Sequence, residues 1–404
     1  MSGHFDVIVV GGGAAGFFSA LTIKETFPEK KLLLVEKSSH LLNKVRISGG
    51  GRCNVTHACF EPRPLTQNYP RGNKALIGPF HTFQPQDMIQ WLGSRGVELK
   101  VESDGRMFPI TDSSQTIIDC FLREAEKLGL EIRQKQSLHS VVKDGDNFVL
   151  EFPTYKLTCD KLILCTGSSP QGHLLAQNLG HSIQPPVPSL FTFNTPTSPL
   201  LDLAGIAVNP VEITILQTKY SQKGPLLITH WGFSGPAALK LSAWSARHLH
   251  ECNYNAHISI DWLPEIKADV IKNQLLQLRN NNPNQYLANH PQYNIPKNLW
   301  KRLIDLSKID SKKRLAELNN QAFESLISNL KQSIHKVEGK TTYKEEFVTC
   351  GGITLDEVNF KTMESRICKN LFFAGEVLDI DAVTGGFNFQ NAWTTAFIAG
   401  KYLE

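Results

Sequence analysis

The chain opens with an alternation of apolar runs and a glycine-rich turn. Residues 5–10 form a short run of β-branched and apolar side chains, which is typical of a strand buried in a parallel sheet. Residues 11–16 are rich in glycine and lead into a helical pattern, and a second apolar run, residues 32–35, ends at Glu36. This order of strand, glycine turn, helix, strand and acid predicts a βαβ unit that binds a dinucleotide.

The middle of the chain predicts strands that return to the same sheet. Short apolar runs at residues 138–142, 148–152 and 162–164 have the spacing of a meander, and the last is followed by Thr166 and Gly167. Five prolines then fall between positions 185 and 199. Because prolines interrupt both helices and central strands, a domain boundary is predicted there.

The pattern changes twice more before the chain ends. Alternating segments up to residue 263 predict a β-rich insert, and residues 264–340 carry helical periodicity. Residues 371–376 read as another buried strand entering a glycine turn, and 391–401 as a final helix. The predicted fold class is α/β, with a Rossmann-like domain built from both chain ends (1–188 and 341–404) and interrupted by a β-rich insert (189–263) and a basic helical insert (264–340).

Composition narrows the class of protein. The 404 residues are 41% hydrophobic and 20% charged, which excludes disorder and a membrane bundle. No apolar run approaches the roughly 18 residues of a membrane-spanning helix, and the N-terminus lacks a basic leader, so a cytoplasmic location is expected. The eight cysteines are scattered without paired spacing, and neither a disulfide framework nor a zinc site is expected.

The net charge of +4 is unevenly distributed. Residues 264–340 hold 13 Lys and Arg against 7 Asp and Glu, a net of +6, so the remainder carries 29 against 31, or −2. The basic residues cluster around Trp300: Lys297, Lys301, Arg302, Lys308, Lys312, Lys313 and Arg314. Such a cluster is either a solvated helix face or a surface that docks RNA through its phosphates.

Each residue of the first glycine turn has a physical role. Gly11 permits the tight turn, Gly13 allows the backbone to approach a pyrophosphate, and Gly16 allows the helix to pack closely on the strand. The helix N-terminus presents N–H groups and a positive dipole end to phosphates. Glu36 lies where a carboxylate accepts hydrogen bonds from ribose hydroxyls.

Three further segments distinguish among dinucleotide-binding proteins. Residues 47–54 form a second glycine-rich loop, Thr166 and Gly167 close a strand, and Gly375 with Glu376 precedes a glycine turn at residues 384–390. This four-part layout resembles the glutathione-reductase-like FAD-binding superfamily. No second G-x-G-x-x-G follows a strand between residues 60 and 370. NAD(P)H would therefore dock directly over the flavin, unless another donor serves.

A more specific resemblance covers nearly the whole chain. It lies in residues 44–56, 105–109, 229–236, 351–353, 362–365 and 373–390. These segments are similar to the YhiN/BaiN-like bacterial flavoprotein family, often described as NAD(P)/FAD-dependent oxidoreductases. The resemblance implies an FAD-binding domain with inserted β and helical domains. It also implies reduction of conjugated carbon–carbon double bonds, in bile-acid enones in one branch and in a uracil of large-subunit ribosomal RNA in another.

The candidate FAD-binding residues come from all of these segments. They are Gly11, Gly13, Ala14, Ala15, Gly16, Glu36, Lys37, Lys44, Gly50, Gly51, Arg52, Cys53, Thr166, Gly167, Gly375, Glu376, Gly386, Phe387, Asn388 and Phe389. Lys44 and Arg52 are expected to neutralise flavin phosphates or a substrate anion, with surface charge as the alternative. Glu376 is expected to bond the ribityl chain or to organise water. No metal site is expected.

Two residues are candidates for catalysis. Cys53 and Cys59 could form a redox pair, although five residues separate them where disulfide reductases have four, and a packed thiol near the flavin is the default interpretation. His230, or Ser234 through water, could donate a proton after hydride addition, with a loop-fixing histidine as the alternative.

The sequence therefore predicts an oxidoreductase that uses FAD. The main hypothesis is transfer of hydride from NAD(P)H through flavin N5 to an activated carbon–carbon double bond, in a small-molecule enone or in a ribosomal RNA uracil. The alternative class is an oxidase or a flavin-bearing scaffold that NAD(P)H does not reduce. Neither a membrane partner nor a particular oligomeric state is predicted.

Overall fold

The computed structural model describes residues 2–341 and 348–403. Two compact units make up the chain: the first is Met1–Val187 with Val348–Glu404, and the second is Pro188–Phe347. The sequence predicts that the second part of the nucleotide-binding domain begins at residue 341. Residues 342–347, at this predicted start, lie outside the described residues.

The described residues form strands and helices along both units of the chain. The strands are β1 Ser2–Val10, β2 Leu32–Val35, β3 Thr56–His57, β4 Leu99–Val101, β5 Arg106–Pro109, β6 Glu131–Arg133, β7 Ser140–Asp144, β8 Asn147–Glu151, β9 Lys156–Leu164, β10 Ile183–Ser189, β11 Thr192–Asn194, β12 Ala207–Ile215, β13 Ser221–Ile228, β14 Gly232–Ser234, β15 Asn255–Asp261, β16 Ser333–Glu338, β17 Lys340–Thr341, β18 Val348–Ile353, β19 Val358–Asn359, β20 Glu364–Ser365 and β21 Leu371–Phe373. The helices are α1 Ala14–Thr26, α2 Asn43–Gly51, α3 Pro62–Thr66, α4 Ile77–Thr82, α5 Pro85–Gly93, α6 Ser114–Lys127, α7 Pro170–Asn178, α8 Pro236–Trp244, α9 Ala246–Glu251, α10 Ala268–Asn281, α11 Lys297–Leu306, α12 Asn320–Lys331 and α13 Phe387–Lys401.

A parallel sheet is the centre of the first unit. Its order is β21-β9-β1-β2-β6, and the hairpin of β7 and β8 joins it by antiparallel pairing to β9. All four side chains of β2 are buried, as expected for a strand covered on both faces. Helices α1 and α13 pack against each other, and Phe18 and Trp393 meet there with ring centroids 5.8 Å apart. This core fixes the carboxyl ends of the strands at one edge.

The second unit combines an antiparallel sheet with helices. Its strand order is β16-β15-β12-β13-β14-β11-β17. β16 follows the helices α10, α11 and α12, yet it pairs with β15 in register from Asn255 with Glu338 to Ile260 with Ser333. The segments predicted as separate β-rich and helical inserts therefore share one hydrophobic core, which includes Trp300. After the helices the chain returns to the sheet, where β16 forms an edge strand.

None of the helices among the described residues combines the length and the apolar character that crossing a lipid bilayer requires.

Candidate functional site

A cleft of about 460 Å³ lies at the carboxyl edge of the parallel sheet, within the first unit. Parallel α/β sheets bind ligands at this edge, where the loops after the strands converge. Thirteen of the twenty predicted FAD-binding residues line it: Gly11, Gly13, Ala14, Ala15, Glu36, Lys37, Lys44, Thr166, Gly167, Gly375, Glu376, Asn388 and Phe389. The fold thus brings together residues that lie as much as 378 positions apart (11 and 389) in the sequence.

The three glycines of the first turn occupy different environments. A Cβ atom on Gly11, whose φ is 113°, would lie 2.4 Å from the carbonyl oxygen of Cys165. A Cβ atom on Gly16 would lie 1.8 Å from the carbonyl oxygen of Gly11. Both glycines therefore serve the packing of α1 against the sheet. A Cβ atom on Gly13 would meet nothing within 4 Å, and Gly13 faces open space in the cleft.

Glu36 closes the turn by hydrogen bonds to the backbone. Its carboxylate accepts from the backbone N–H of Gly12 at 2.7 Å and from that of Ser38 at 2.8 Å. These bonds hold the carboxylate at the end of β2, in the cleft wall. Its remaining lone pairs suit the hydroxyl donors of a ribose.

An ion pair joins two of the predicted residues inside the cleft. The Nζ atom of Lys44 lies 2.5 Å from the Oε2 atom of Glu376. Lys44 belongs to α2, and Glu376 follows β21, so the pair links two walls of the same cleft. Glu376 is thus held by a cation, and Lys44 remains more than half exposed.

The start of α13 contributes both to the cleft and to the packing behind it. Asn388 accepts from the backbone N–H of Ala382 at 2.9 Å and donates to its carbonyl oxygen at 3.1 Å, which fixes the loop before the helix. Phe389 stacks on Trp393 at 5.6 Å. Phe387 is buried behind the wall, and the His57 ring packs on it at 4.5 Å.

Gly386 also lies behind the cleft wall. A Cβ atom on Gly386 would lie 2.5 Å from the carbonyl oxygen of Thr56. Gly386, whose φ is 88°, therefore lets the loop approach β3 closely. The structure does not bring Gly386 or Phe387 into the cleft, and both remain predictions as flavin contacts.

The second glycine loop ends α2 and does not line the cleft. Gly50 and Gly51 are exposed and have φ values of 69° and 84°. The Nη1 atom of Arg52 lies 2.6 Å from Glu102, and its guanidinium lies 4.0 Å from the ring centroid of Phe108. Arg52 is thus occupied by a carboxylate and an aromatic face, and its predicted contact with flavin phosphates has no support in this arrangement.

Cys53 is fully buried. Burial raises the pKa of its thiol to about 12, so the thiol is protonated near neutral pH. Burial also raises the pKa of the Cys59 thiol, and no disulfide joins Cys59 to Cys53. These environments favour a packed thiol over a redox pair and give no support to Cys53 as a catalytic group.

His230 belongs to the second unit. It is exposed in the turn between β13 and β14, where the Thr229 backbone N–H donates to the Gly232 carbonyl at 2.8 Å. Phe233, three residues on, is buried in the core of that unit and packs on His335. Backbone hydrogen bonds fix the turn, and the exposed His230 side chain takes no part in the core of the unit.

Sequence reasoning missed several residues of the cleft. They are His40, Asn43, Gln136, Ser137, Leu138, Ser168, Ser169, Gln171, Gly172, Leu175 and Ala392. Gln136 to Leu138 come just after β6, which lies beside β2 in the sheet. The rule that parallel strands share a ligand-binding edge could have found them, but no short motif marks them.

The cleft fits the adenosine diphosphate half of FAD on its own features. The N-terminus of α1 points N–H groups and a positive dipole end toward anions. Gly13 leaves open space beside that helix end, and Glu36 offers a carboxylate for ribose hydroxyls. Lys44, paired with Glu376, lines the same cleft.

Comparison with known proteins gives consistent matches along the chain. A family model described as the HI0933-like protein Rossmann domain matches residues 5–402. The ribosomal RNA dihydrouridine synthase of Escherichia coli (strain K12) is 32% identical over 413 residues, covering 99% of this chain and 98% of that protein. The 3-dehydro-bile acid delta(4,6)-reductase of Clostridium scindens is 25% identical over 403 residues, covering 97% of each chain.

A solved structure is similar in fold. The 3-ketosteroid delta1-dehydrogenase from Sterolibacterium denitrificans, in complex with 1,4-androstadiene-3,17-dione, gives a TM-score of 0.52 at 10% identity. The match covers 99% of both chains. At this identity the likeness supports the fold alone.

Proposed function

The chain belongs to the HI0933-like family of Rossmann-fold flavoproteins, and we propose that it reduces an activated carbon–carbon double bond with hydride taken from NAD(P)H. The predictions of an α/β fold and of an FAD-dependent oxidoreductase are confirmed by this membership. The acceptor, the donor and the residues that act on them belong to the proposal.

The cleft at the carboxyl edge of the sheet is the observation that carries the proposal. Its glycine turn, the α1 N-terminus and Glu36 are assigned to the diphosphate and ribose of FAD. When bound and reduced, FAD supplies hydride at N5 and carries negative charge near N1. The positive end of α13, where Asn388 and Phe389 line the cleft, is assigned to the stabilisation of negative charge.

A uracil of ribosomal RNA is the acceptor that we propose. The synthase relative is 32% identical and the bile-acid reductase relative 25% identical, with 98% and 97% of their lengths matched. The net charge of +6 in residues 264–340 also favours a polyanionic substrate over a small enone. Reduction would add hydride at uracil C6 and a proton at C5, and it would oxidise NAD(P)H to NAD(P)⁺.

Deletion of the gene that encodes the protein tests the proposal. Large-subunit ribosomal RNA from the deletion strain, digested to nucleosides, is expected to lose a dihydrouridine that mass spectrometry detects in the parent. Plasmid-borne wild type should restore it. A strain that keeps all of its large-subunit dihydrouridine would exclude the RNA acceptor and leave the enone. Anaerobic mixing with NADH or NADPH tests the donor, since an unbleached flavin band would favour the scaffold or another donor.

His230 is proposed as the proton donor to the enolate that hydride addition leaves. Replacing it with asparagine is expected to slow substrate reduction by about 10²–10⁴-fold, the range of general-acid catalysis, because water must then supply the proton. The rate at which NAD(P)H bleaches the flavin should stay unchanged. His257→Asn, which replaces another exposed histidine in β15 of the same unit, is the matched control. Equal substrate turnover in both variants would assign His230 to a structural role.

A further inference from the structure

We propose that the second unit carries a docking groove for unpaired RNA, formed between α11 and the turns on either side of it. The choice of RNA rests on the proposed function, but the groove is separate from the FAD cleft. Its volume is about 530 Å³. Its polar and aromatic lining consists of Tyr286, Asn289, Lys301, Asp305, Ser311 and Lys312.

The groove carries two cations that are available to a ligand. Lys301 and Lys312 are exposed, and neither forms an ion pair with any carboxylate in residues 2–341 or 348–403. Residues 297–314 hold seven Lys and Arg against two Asp. A lysine without a protein partner can neutralise a phosphate without first giving up a salt bridge.

Two other residues of this region are already engaged within the protein. Arg302 is committed to Asp202, with Nη1 2.7 Å from Oδ1. Trp300, which the sequence places at the centre of the cluster, is buried and donates to the Leu287 carbonyl oxygen at 3.0 Å. The aromatic ring that is available to a ligand is Tyr286, which is 40% exposed and lines the groove.

The combination of groups indicates an unpaired strand. Exposed aromatic rings bind unstacked bases, whereas duplex RNA is recognised through its shape and backbone. Asn289 and Ser311 can bond base edges, and the Asp305 carboxylate can accept from an exocyclic amino group. Phosphates on either side of the base would meet Lys301 and Lys312. An acidic peptide would gain nothing from Asp305.

The test measures binding of a fluorescein-labelled single-stranded RNA of about 12 nucleotides to the full-length holoprotein. The variant Lys301→Gln/Lys312→Gln is expected to bind about 25-fold more weakly at about 0.1 M salt, since each lost phosphate contact removes about 0.7 from the salt slope. Tyr286→Leu is expected to weaken binding about tenfold through the loss of stacking. FAD content should not change in either variant.

The matched control is Lys219→Gln/Lys267→Gln, which removes two exposed lysines of the same unit outside the groove. Control binding close to wild type supports the groove, and equal weakening in both double variants overturns it. Duplex RNA that binds as tightly as the single strand, with no effect of Tyr286→Leu, also overturns it. Displacement of RNA by poly-glutamate with the same Tyr286 dependence would assign the groove to acidic protein segments.

The two experiments distinguish failure of the docking groove from failure of the proposed function. Groove-dependent RNA binding in a protein whose deletion leaves dihydrouridine unchanged would sustain the groove and reject the uracil acceptor. Loss of dihydrouridine on deletion, with no groove-dependent binding, would sustain the reaction and reject the groove.

Discussion

Replacing Gly13 with valine is expected to leave the first unit folded and to abolish its retention of FAD. A Cβ atom at this position meets nothing within 4 Å, and the backbone φ of −86° suits any residue. The side chain would instead project into the cleft beside the N-terminus of α1. It would keep a diphosphate away from the backbone N–H groups, and hydrogen bonds to charged groups contribute about 1.5–3 kcal/mol each.

Loss of two such bonds predicts a decrease in FAD affinity of about 10²–10⁴-fold. The measurement is FAD released per protein on denaturation, together with the dissociation constant from titration of the apoprotein. Gly93→Val is the matched control, because that glycine is exposed and also has open space around it, but it lies in α5. Wild-type FAD content in Gly13→Val would show that the diphosphate does not pass this glycine.

Gly16→Ala separates a packing defect from a ligand defect. Its Cβ atom would lie 1.8 Å from the Gly11 carbonyl oxygen, so α1 must move away from the sheet. The apoprotein itself should lose stability, with a lower Tm than the Gly13→Val apoprotein. If the two apoproteins had the same lowered Tm and both variants lost FAD, the loss of FAD in Gly13→Val would reflect misfolding.

Elements whose signal is local were predictable from the sequence. The turn at residues 11–16 and β2 follow from glycine content and apolar runs, which depend on neighbours in the chain. The periodicity of residues 264–340 predicts a helical insert, whereas Ser333–Glu338 is a strand that depends on pairing with β15, more than seventy positions earlier. Non-local pairing leaves little trace in a single sequence.

The site shows the same division. Residues within motifs, such as Gly13 and Glu36, line the cleft because the motif itself specifies their geometry. The glycines before Arg52 favour a contact with flavin phosphates, yet its guanidinium pairs with Glu102 and lies over the ring of Phe108. A side chain of that length selects its partner in three dimensions, and sequence neighbours do not determine it.

Replacing Asp381 with alanine is expected to destabilise the first unit by about 3–5 kcal/mol, the cost of leaving one member of a buried ion pair unpaired. Asp381 and Arg71 form a bidentate pair whose side chains are 1% and 12% exposed. For a unit of this size the corresponding decrease in Tm is about 6–20 °C. FAD retention should also weaken, because Asn388 in the cleft wall bonds Ala382, the next residue.

Asp202→Ala is the control that shows how much burial matters, because it breaks an exposed ion pair. Asp202 pairs with Arg302 in an equally bidentate arrangement, but their side chains are 61% and 27% exposed. Water and salt screen such a pair, so its loss should lower the Tm far less than the loss of the buried pair does. Both variants are best melted as apoproteins, because bound FAD adds its own stabilisation.

The double variant Arg71→Met/Asp381→Leu should recover most of the stability lost in Asp381→Ala, since it removes the unpaired charge. Equal Tm decreases for Asp381→Ala and Asp202→Ala would mean that the Arg71 pair contributes as little as a surface pair. The loop before α13 would then be held by the Asn388 side chain and by its backbone bonds.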